Sequence, residues 1–372
     1  SICMKLAIDC RMTNSGGVGS YLNALLPYLT KKNECTLLGD KNELEKFKDE
    51  KTTVISLDTK TFSLKELFAF PKEILKKING CDIFYSPYFN VPGRITGGIK
   101  IPVFTTIHDV VFLDVPGLAS KTGTLARKFF YKYAVLKSEK IFTVSEFSKE
   151  RIIHHLKCRK PVVVTYNAVP DWFSRDTKSA EKNSKNASVP PENPHEIQKE
   201  NSILFVGNIK KHKGLSVLID ALIIAKKKGF NLTLKIVGNS ENFRTADETV
   251  FKKIKDAPEG SVEFTGRISD EELNELYRKT KRLIQPSLYE GFGMPPLEAM
   301  SLGTKAIISD IPVFREIYRD FPVTFFKAGN CNDLAEKLLS IKDETDEIKE
   351  FPQIYSFEKT AAIIQKTLEE SL

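Results

Sequence analysis

The stretch from Gln285 to Gly303, QPSLYEGFGMPPLEAMSLG, limits what this chain can fold into more than any other segment. It follows the apolar run Arg282-Leu283-Ile284, which reads as the end of a buried strand. Two close glycines, Gly291 and Gly293, come next, and then a helix that opens at Pro295 and Pro296 and closes at Gly303. Proline is tolerated in a first helical turn, where an amide donor has no intrahelical partner. Glycine suits the left-handed residue that ends a helix. Strand, glycine loop and helix start together aim backbone N–H groups and the positive end of the helix dipole at one point. An anion fits there, most often a phosphate. Two carboxylates flank that point, Glu290 in the loop and Glu298 in the first turns of the helix. Phosphate is not helped by carboxylates, whereas hydroxyl groups are, because an ionised acceptor makes strong hydrogen bonds. The residues therefore suit a phosphate and a polyol held side by side. The plainer alternative makes Glu290 a solvated loop residue and Glu298 a charge favoured by the helix dipole.

The rest of the chain alternates strand and helix signals. Strands are expected at Lys5–Asp9, Thr36–Gly39, Thr53–Ser56, Asp82–Ser86, Val103–His108, Lys140–Val144 and Val162–Tyr166, with helices at Lys41–Lys48, Leu64–Ile78, Ser120–Lys137 and Glu146–Leu156. A second series of strands is expected at Ile203–Val206, Thr233–Val237, Val262–Phe264, Arg282–Gln285, Lys305–Ile308 and Val323–Phe326. Such alternation predicts an α/β protein with parallel sheets covered by helices on both faces. Between the two series lies SRDTKSAEKNSKNASVPPENPHEIQKEN, polar and proline-bearing with almost no apolar residue. It reads as a linker or mobile loop. The chain therefore divides into a Rossmann-like domain over 1–173, a linker over 174–201 and a second Rossmann-like domain over 202–354. With 372 residues, both have room for a sizeable core.

Three further places carry candidate chemistry. Asn14-Ser15-Gly16-Gly17-Val18-Gly19 joins the first strand to a helix and makes a second phosphate-sized nest at Gly16 and Gly17. It is not the G-x-G-x-x-G of a nicotinamide-cofactor site, and no acidic ribose binder ends the next strand. The pair His108-Asp109 follows an apolar strand, where ligands of parallel sheets bind. The turn Gly207-Asn208-Ile209-Lys210-Lys211-His212-Lys213-Gly214 places lysines at a strand-to-helix junction, which suits phosphate. A net charge of +8 is compatible with anionic ligands, membrane or nucleic acid and does not choose among them. Charge alone makes nucleic acid the weakest of these. Six scattered cysteines without a C-x-x-C pair, and no apolar run near the ~20 residues of a membrane span, suit a reduced cytoplasmic protein. The segment 120–137 interleaves Lys121, Arg127, Lys128, Lys132 and Lys137 with Phe129, Phe130, Tyr131 and Tyr133. It reads either as a contact with an anionic membrane surface or as the solvated face of a packed helix.

Glu290, Gly291, Phe292, Gly293, Met294, Pro295 and Glu298 resemble the E-x7-E signature of retaining glycosyltransferases with the GT-B fold, the "group 1" or family 4 enzymes. The likeness continues upstream through VEFTGRISDEELNELYRKT and downstream through LGTKAIISDIPVFREI. It implies two Rossmann-like domains and a nucleoside-diphosphate sugar as donor. In such enzymes the first glutamate contacts the donor sugar and the second the ribose, while loop amides hold the sugar and distal phosphate. These roles fall on Glu290, on Glu298 and on residues 291 to 294. The resemblance also brings His108 toward the donor sugar and Gly16 and Gly17 toward the diphosphate and acceptor, and sets Arg267 near the nucleobase. Lys213 matches the family's phosphate-binding lysine. Asn208 stands where the family has arginine, with Lys210 or Lys211 as its substitute.

The expectation is therefore a retaining, metal-independent hexosyltransferase acting on a glycan or lipid-linked acceptor of surface polysaccharide. No Asp-x-Asp pair is present to hold a metal. The donor preference runs from GDP-mannose to UDP-glucose or dTDP-rhamnose. The resemblance further implies that a C-terminal helix, about 355–372, packs back on the first domain, and that the enzyme works at the inner face of the membrane. The alternatives are a sugar-nucleotide epimerase and a non-catalytic nucleotide-sugar-binding protein on the same fold.

Overall fold

The computed structural model describes residues 3–93, 97–174, 198–238 and 248–372. The chain forms two compact units, one of Ser1–Pro170 with Tyr355–Leu372 and one of Asp171–Ile354. Each is built on one parallel sheet.

The first unit's sheet holds β1 (Lys5–Asp9), β2 (Glu34–Gly39), β3 (Thr52–Ser56), β4 (Ile83–Ser86), β5 (Val103–Thr106), β6 (Lys140–Thr143) and β7 (Val162–Val164). They lie in the order β3-β2-β1-β4-β5-β6-β7, with parallel pairing throughout. The second holds β8 (Ser202–Val206), β9 (Thr233–Val237), β10 (Val262–Phe264), β11 (Arg282–Gln285), β12 (Ala306–Ser309) and β13 (Val323–Phe326) in the order β10-β9-β8-β11-β12-β13. Every residue of β4, β5, β11 and β12 is buried, as strands covered on both faces require. Burial extends to Arg282 at the start of β11, 1% exposed, whose guanidinium pairs with Asp346 at 2.6 Å and Glu344 at 3.2 Å. A charge in that position needs such partners.

Parallel strands are joined by right-handed crossovers, so each sheet is wound outward from its first strand and then back. The winding reverses between β1 and β4 in one sheet and between β8 and β11 in the other. At such a point neighbouring loops leave toward opposite faces and open a crevice at the carboxyl ends of the strands.

Several expected boundaries move. The single helix expected at Leu64–Ile78 is two, Leu64–Phe68 and Lys72–Ile78. Pro71 accounts for the break, because it has no N–H and its ring clashes with the carbonyl four residues back. The strand expected to reach His108 ends at Thr106, although Ile107 N–H still bonds Phe142 O at 2.9 Å. Of the expected linker, residues 175–197 lie outside the described residues. Its last part is packed on the second unit, where Lys199 Nζ donates to Thr304 Oγ1 at 2.6 Å and Arg278 O at 2.8 Å.

The helix Phe357–Glu369 belongs to the first unit. Its residues Phe357, Ala361, Ile364 and Leu368 join the cluster of Leu22, Leu25, Leu26 and Leu29, the apolar face of the helix Gly16–Lys32. Asn33 and Gln365 exchange amide hydrogen bonds of 2.7 and 3.0 Å, so neither buried amide goes unpaired. Ile364 is fully buried. Ile364→Ala is expected to lower the unfolding free energy by about 2–5 kcal/mol in a urea titration. A change under ~0.5 kcal/mol would show that this helix adds nothing to the first unit.

Candidate functional site

The second unit's reversal point brings two loops into contact. The loop after β8 runs through Asn208 and the short helical turn Lys211–Lys213 into the helix Leu215–Lys227. The loop after β11 runs from Pro286 through Glu290 to the helix Met294–Ser301. Leu288 N–H donates to His212 O at 2.7 Å and stitches the loops together. Gly214 makes the closest approach. It has φ +73, and a Cβ there would collide with the carbonyl of Pro286. Only glycine accepts both conditions.

That approach lets Lys213 reach Glu290. The Lys213 ammonium lies 2.7 Å from Oε1 and 2.8 Å from Oε2 of Glu290, with the carboxylate 10% and the lysine side chain 19% exposed. Ser287 Oγ donates to Glu290 Oε1 at 2.8 Å, and Gln285 Nε2 approaches it at 3.4 Å. The lysine and the glutamate, 77 residues apart in sequence, form one partly buried ionic centre.

The glycine loop is equally constrained. Gly293 has φ +84, and a Cβ on it would run into the Phe314 ring. The Tyr318 hydroxyl donates to Gly293 O and accepts from Leu297 N–H at 3.2 Å. It thus stands in the first hydrogen bond of the helix. Pro295 and Pro296 carry no N–H, so of the first three helical residues only Met294 can donate. Gly291 and Phe292 are buried beside it. Glu298, half-buried one turn on, accepts from the Tyr277 hydroxyl at 2.7 Å. Burial pushes the Glu298 carboxyl above the ordinary range, and the tyrosine bond opposes that rise.

The other second-unit candidates lie further out. Asn208 and Lys210 are exposed, and the Asn208 side chain accepts from Lys210 N–H at 3.4 Å. Arg267 is exposed in the loop after β10, two strands from β8. Among the described residues it makes no hydrogen bond or ion pair to another candidate.

The remaining candidates lie in the first unit, in the loops after β1 and β5. Gly16, φ +51, opens the helix Gly16–Lys32, and Ser15 makes no side-chain cap bond to it. Gly16 and Gly17 are exposed. The glycine that packing demands is Gly19, where a Cβ would meet the carbonyl of Thr13. His108 Nε2 lies 2.9 Å from Pro87 O in the loop after β4, so that nitrogen carries the proton. Tyr21, from the glycine-led helix, meets the imidazole edge-on at 4.8 Å between centroids. The Asp109 carboxylate accepts from Val111 N–H at 3.0 Å and starts the next short helix.

A buried cluster that the sequence reading did not name sits alongside. Arg11 pairs with Asp9 at 2.5 Å and Glu66 at 2.6 Å, and Asn90 Nδ2 donates to Asp9 at 2.9 Å. It ties the end of β1 to the loop after β4. The charged pair Asp9-Cys10-Arg11 at a strand's carboxyl end was the available signal. Tyr277 and Tyr318 had none, because their hydroxyls act on residues 21 and 25 positions away. Among the described residues no three His, Cys, Asp or Glu side chains gather as metal ligands.

Comparison with known proteins follows the same division. Residues 15–172 match the family described as Glycosyltransferase Family 4, and residues 191–354 match Glycosyl transferases group 1. An uncharacterized glycosyltransferase of Methanocaldococcus jannaschii is 28% identical over 78% of this chain and 76% of its own length. O-antigen chain mannosyltransferase RfbU of Salmonella typhimurium is 30% identical over 63% of each chain. O-antigen chain mannosyltransferase B of Escherichia coli is 24% identical over 64% of this chain and 59% of its own length. Thus the matched region spans less than two thirds of either mannosyltransferase. Among solved structures, Anabaena HepE with UDP and glucose superposes with TM-score 0.62 at 16% identity, covering 99% of this chain and 97% of its own. A Rickettsia africae glycosyltransferase reaches 0.64 at 18%, covering 100% and 94%. These structures share the GT-B fold with this chain.

Burial presses His108 and His212 down to about 4, and for His212 the neighbouring Lys213 adds to the effect. Both are neutral in the folded chain where an unfolded histidine, near 6.5, takes a proton. Their contribution is therefore full above pH ~6.5 and is lost as pH falls toward ~4, by up to about 1.4 kcal/mol per unit for each. Urea titrations from pH 7 to 4.5 are expected to show this decline, with His108→Asn and His212→Asn each flattening it. Stability that rose on acidification, or variants with the wild-type slope, would contradict the assignment.

Proposed function

We propose that this chain, which belongs to the group 1 glycosyltransferases with a family 4 first domain, moves a hexose from a nucleoside-diphosphate sugar to a glycan or lipid-linked acceptor with retention of configuration. The observation that carries this reading is the Lys213–Glu290 centre, set at the sheet's reversal point beside a helix N-terminus. In the reading, Lys213, the Met294 amide and the helix dipole take the diphosphate, and Lys210 or Lys211 supplies the charge that Asn208 lacks. These groups act where negative charge grows as the sugar–phosphate bond breaks, the place at which preorganised charge accelerates a reaction. Glu290 exchanges the lysine for sugar hydroxyls, Glu298 takes ribose hydroxyls, and neutral His108 is given the family's contact with the donor sugar. The acceptor oxygen attacks the face that the phosphate leaves, and its proton passes to the departing phosphate oxygen. No step calls for a metal. The preferred donor in this reading is GDP-mannose, supported by the mannosyltransferases among the relatives, then UDP-glucose or dTDP-rhamnose.

The first unit offers a surface for a lipid-linked acceptor's membrane. Leu64 and Leu125 are 74% and 69% exposed, and with Phe68 and Phe129 they line an apolar groove of about 400 Å³. Lys65, next to Leu64, and Lys121, Lys128 and Lys132, on the helix that carries Leu125 and Phe129, are exposed, and the helix Lys121–Lys137 has no acidic residue. Exposed apolar side chains and lysines on the same helices suit an anionic bilayer.

Three experiments test the reading. In EDTA, one of GDP, UDP, dTDP or ADP is expected to raise the melting temperature by several degrees. Glu290→Gln is expected to lower transfer about 100-fold while the chain stays folded. No shift with any nucleotide, or full turnover by the variant, would overturn the assignment. In vesicle co-sedimentation the chain is expected to bind phosphatidylglycerol vesicles and not phosphatidylcholine ones, with Leu125→Glu/Phe129→Glu weakening binding at least about tenfold. Equal binding to both lipids, or none, would remove the membrane from the account.

A further inference from the structure

We infer that Tyr277 is a positioning residue that holds Glu298 ready as an acceptor for the ribose hydroxyls of a nucleoside diphosphate. This rests on the ribose reading of Glu298 given above.

The tyrosine is fixed on every side but one. It is fully buried, late in the helix Asp270–Lys279. A capping box of Ser269 and Glu272 sets where that helix begins. The Tyr277 carbonyl accepts from the Thr304 hydroxyl, in the turn after the Glu298 helix. Its ring lies beside Phe173, with centroids 6.2 Å apart. The hydroxyl is the part that reaches out, and it donates to Glu298 Oε2 at 2.7 Å.

Glu298 and Glu290 are treated differently by the fold. Glu290 has Lys213, whereas among the described residues no lysine, arginine or histidine lies within ion-pair reach of Glu298. A half-buried carboxylate without a cation is costly unless hydrogen bonds satisfy it. The groups facing it are Tyr277, which stabilises the ionised form, and Asp270, which opposes it. Tyr318 stands beside Tyr277. One protein hydroxyl thus engages one oxygen, and among the described residues the other has no protein donor. A ribose diol supplies donors of the right kind. Without the Tyr277 hydroxyl, Oε2 loses its donor, the carboxyl holds its proton to higher pH, and the side chain is free to turn.

The test compares GDP with 2′-deoxy-GDP, or UDP with 2′-deoxy-UDP if uridine is the base that binds, by calorimetry on the full chain. Wild type is expected to favour the ribose form about tenfold, the worth of one hydrogen bond to a charged group. Tyr277→Phe is expected to bring that ratio to about 2, and to move the acid limb of ribonucleotide binding to higher pH. Glu298→Gln is expected to lose the preference and the pH dependence together. If Tyr277→Phe keeps the wild-type ratio while Glu298→Gln loses it, the ribose reading stands and the positioning role falls. If Tyr277→Phe weakens both nucleotides equally with no change in pH profile, the tyrosine is only a packing residue. If wild type does not distinguish the two sugars, the ribose reading itself fails and the inference with it.

Discussion

Everything at the candidate site depends on one constraint: a parallel sheet wound by right-handed crossovers must reverse its direction somewhere. Here it reverses between β8 and β11, and the loops leaving those strands meet at Gly214 and Pro286. Their contact has almost no slack, since even a methyl group on residue 214 would overlap a carbonyl oxygen. Close approach is what lets a lysine from one loop neutralise a glutamate from the other. The first unit repeats the logic with different residues. There Arg11 joins the end of β1 to Glu66, while Asp9 joins it to Asn90 in the loop after β4.

The site's rigidity comes from hydroxyls and glycines as much as from charge. Tyr318 stands in the first hydrogen bond of the Met294–Ser301 helix, and Ser287 fills a lone pair of Glu290. The double proline strips that helix of two donors and leaves Met294 as the one donor among its first three residues. That the lysine is already paired has a consequence for binding. In the proposed function an arriving diphosphate competes with Glu290 for the lysine, and the carboxylate so released turns to sugar hydroxyls.

The α/β class and the two parallel sheets were legible, because strands buried on both faces read as short apolar runs between helical stretches. The strands Arg282–Gln285 and Val323–Phe326 fall at the expected residues, with Gly291 and Gly293 beside the first of them. Local chemistry was legible wherever it is local. The proline helix start is an example. Pro71 was visible too, yet the 3.6-residue period across Leu64–Ile78 masked its effect. What could not be read were contacts made by tertiary placement. Lys213 and Glu290 were each singled out, but their pairing depends on strand order, which spacing along the chain does not encode. Tyr277 and Tyr318 went unnoticed for the same reason, and of the Arg11 cluster only Asp9 and Arg11 at the end of β1 could have been read. Gly19 was passed over because its role is a backbone approach, not a motif.

Hydrogen exchange of the second unit, with and without saturating GDP or UDP, tests the central claim most directly. The account predicts slowed exchange in segments 207–214 and 286–303, the two loops of the reversal point, with β9 and β13 unchanged. Nucleotide binding that left those segments untouched and protected another part of the chain would contradict it.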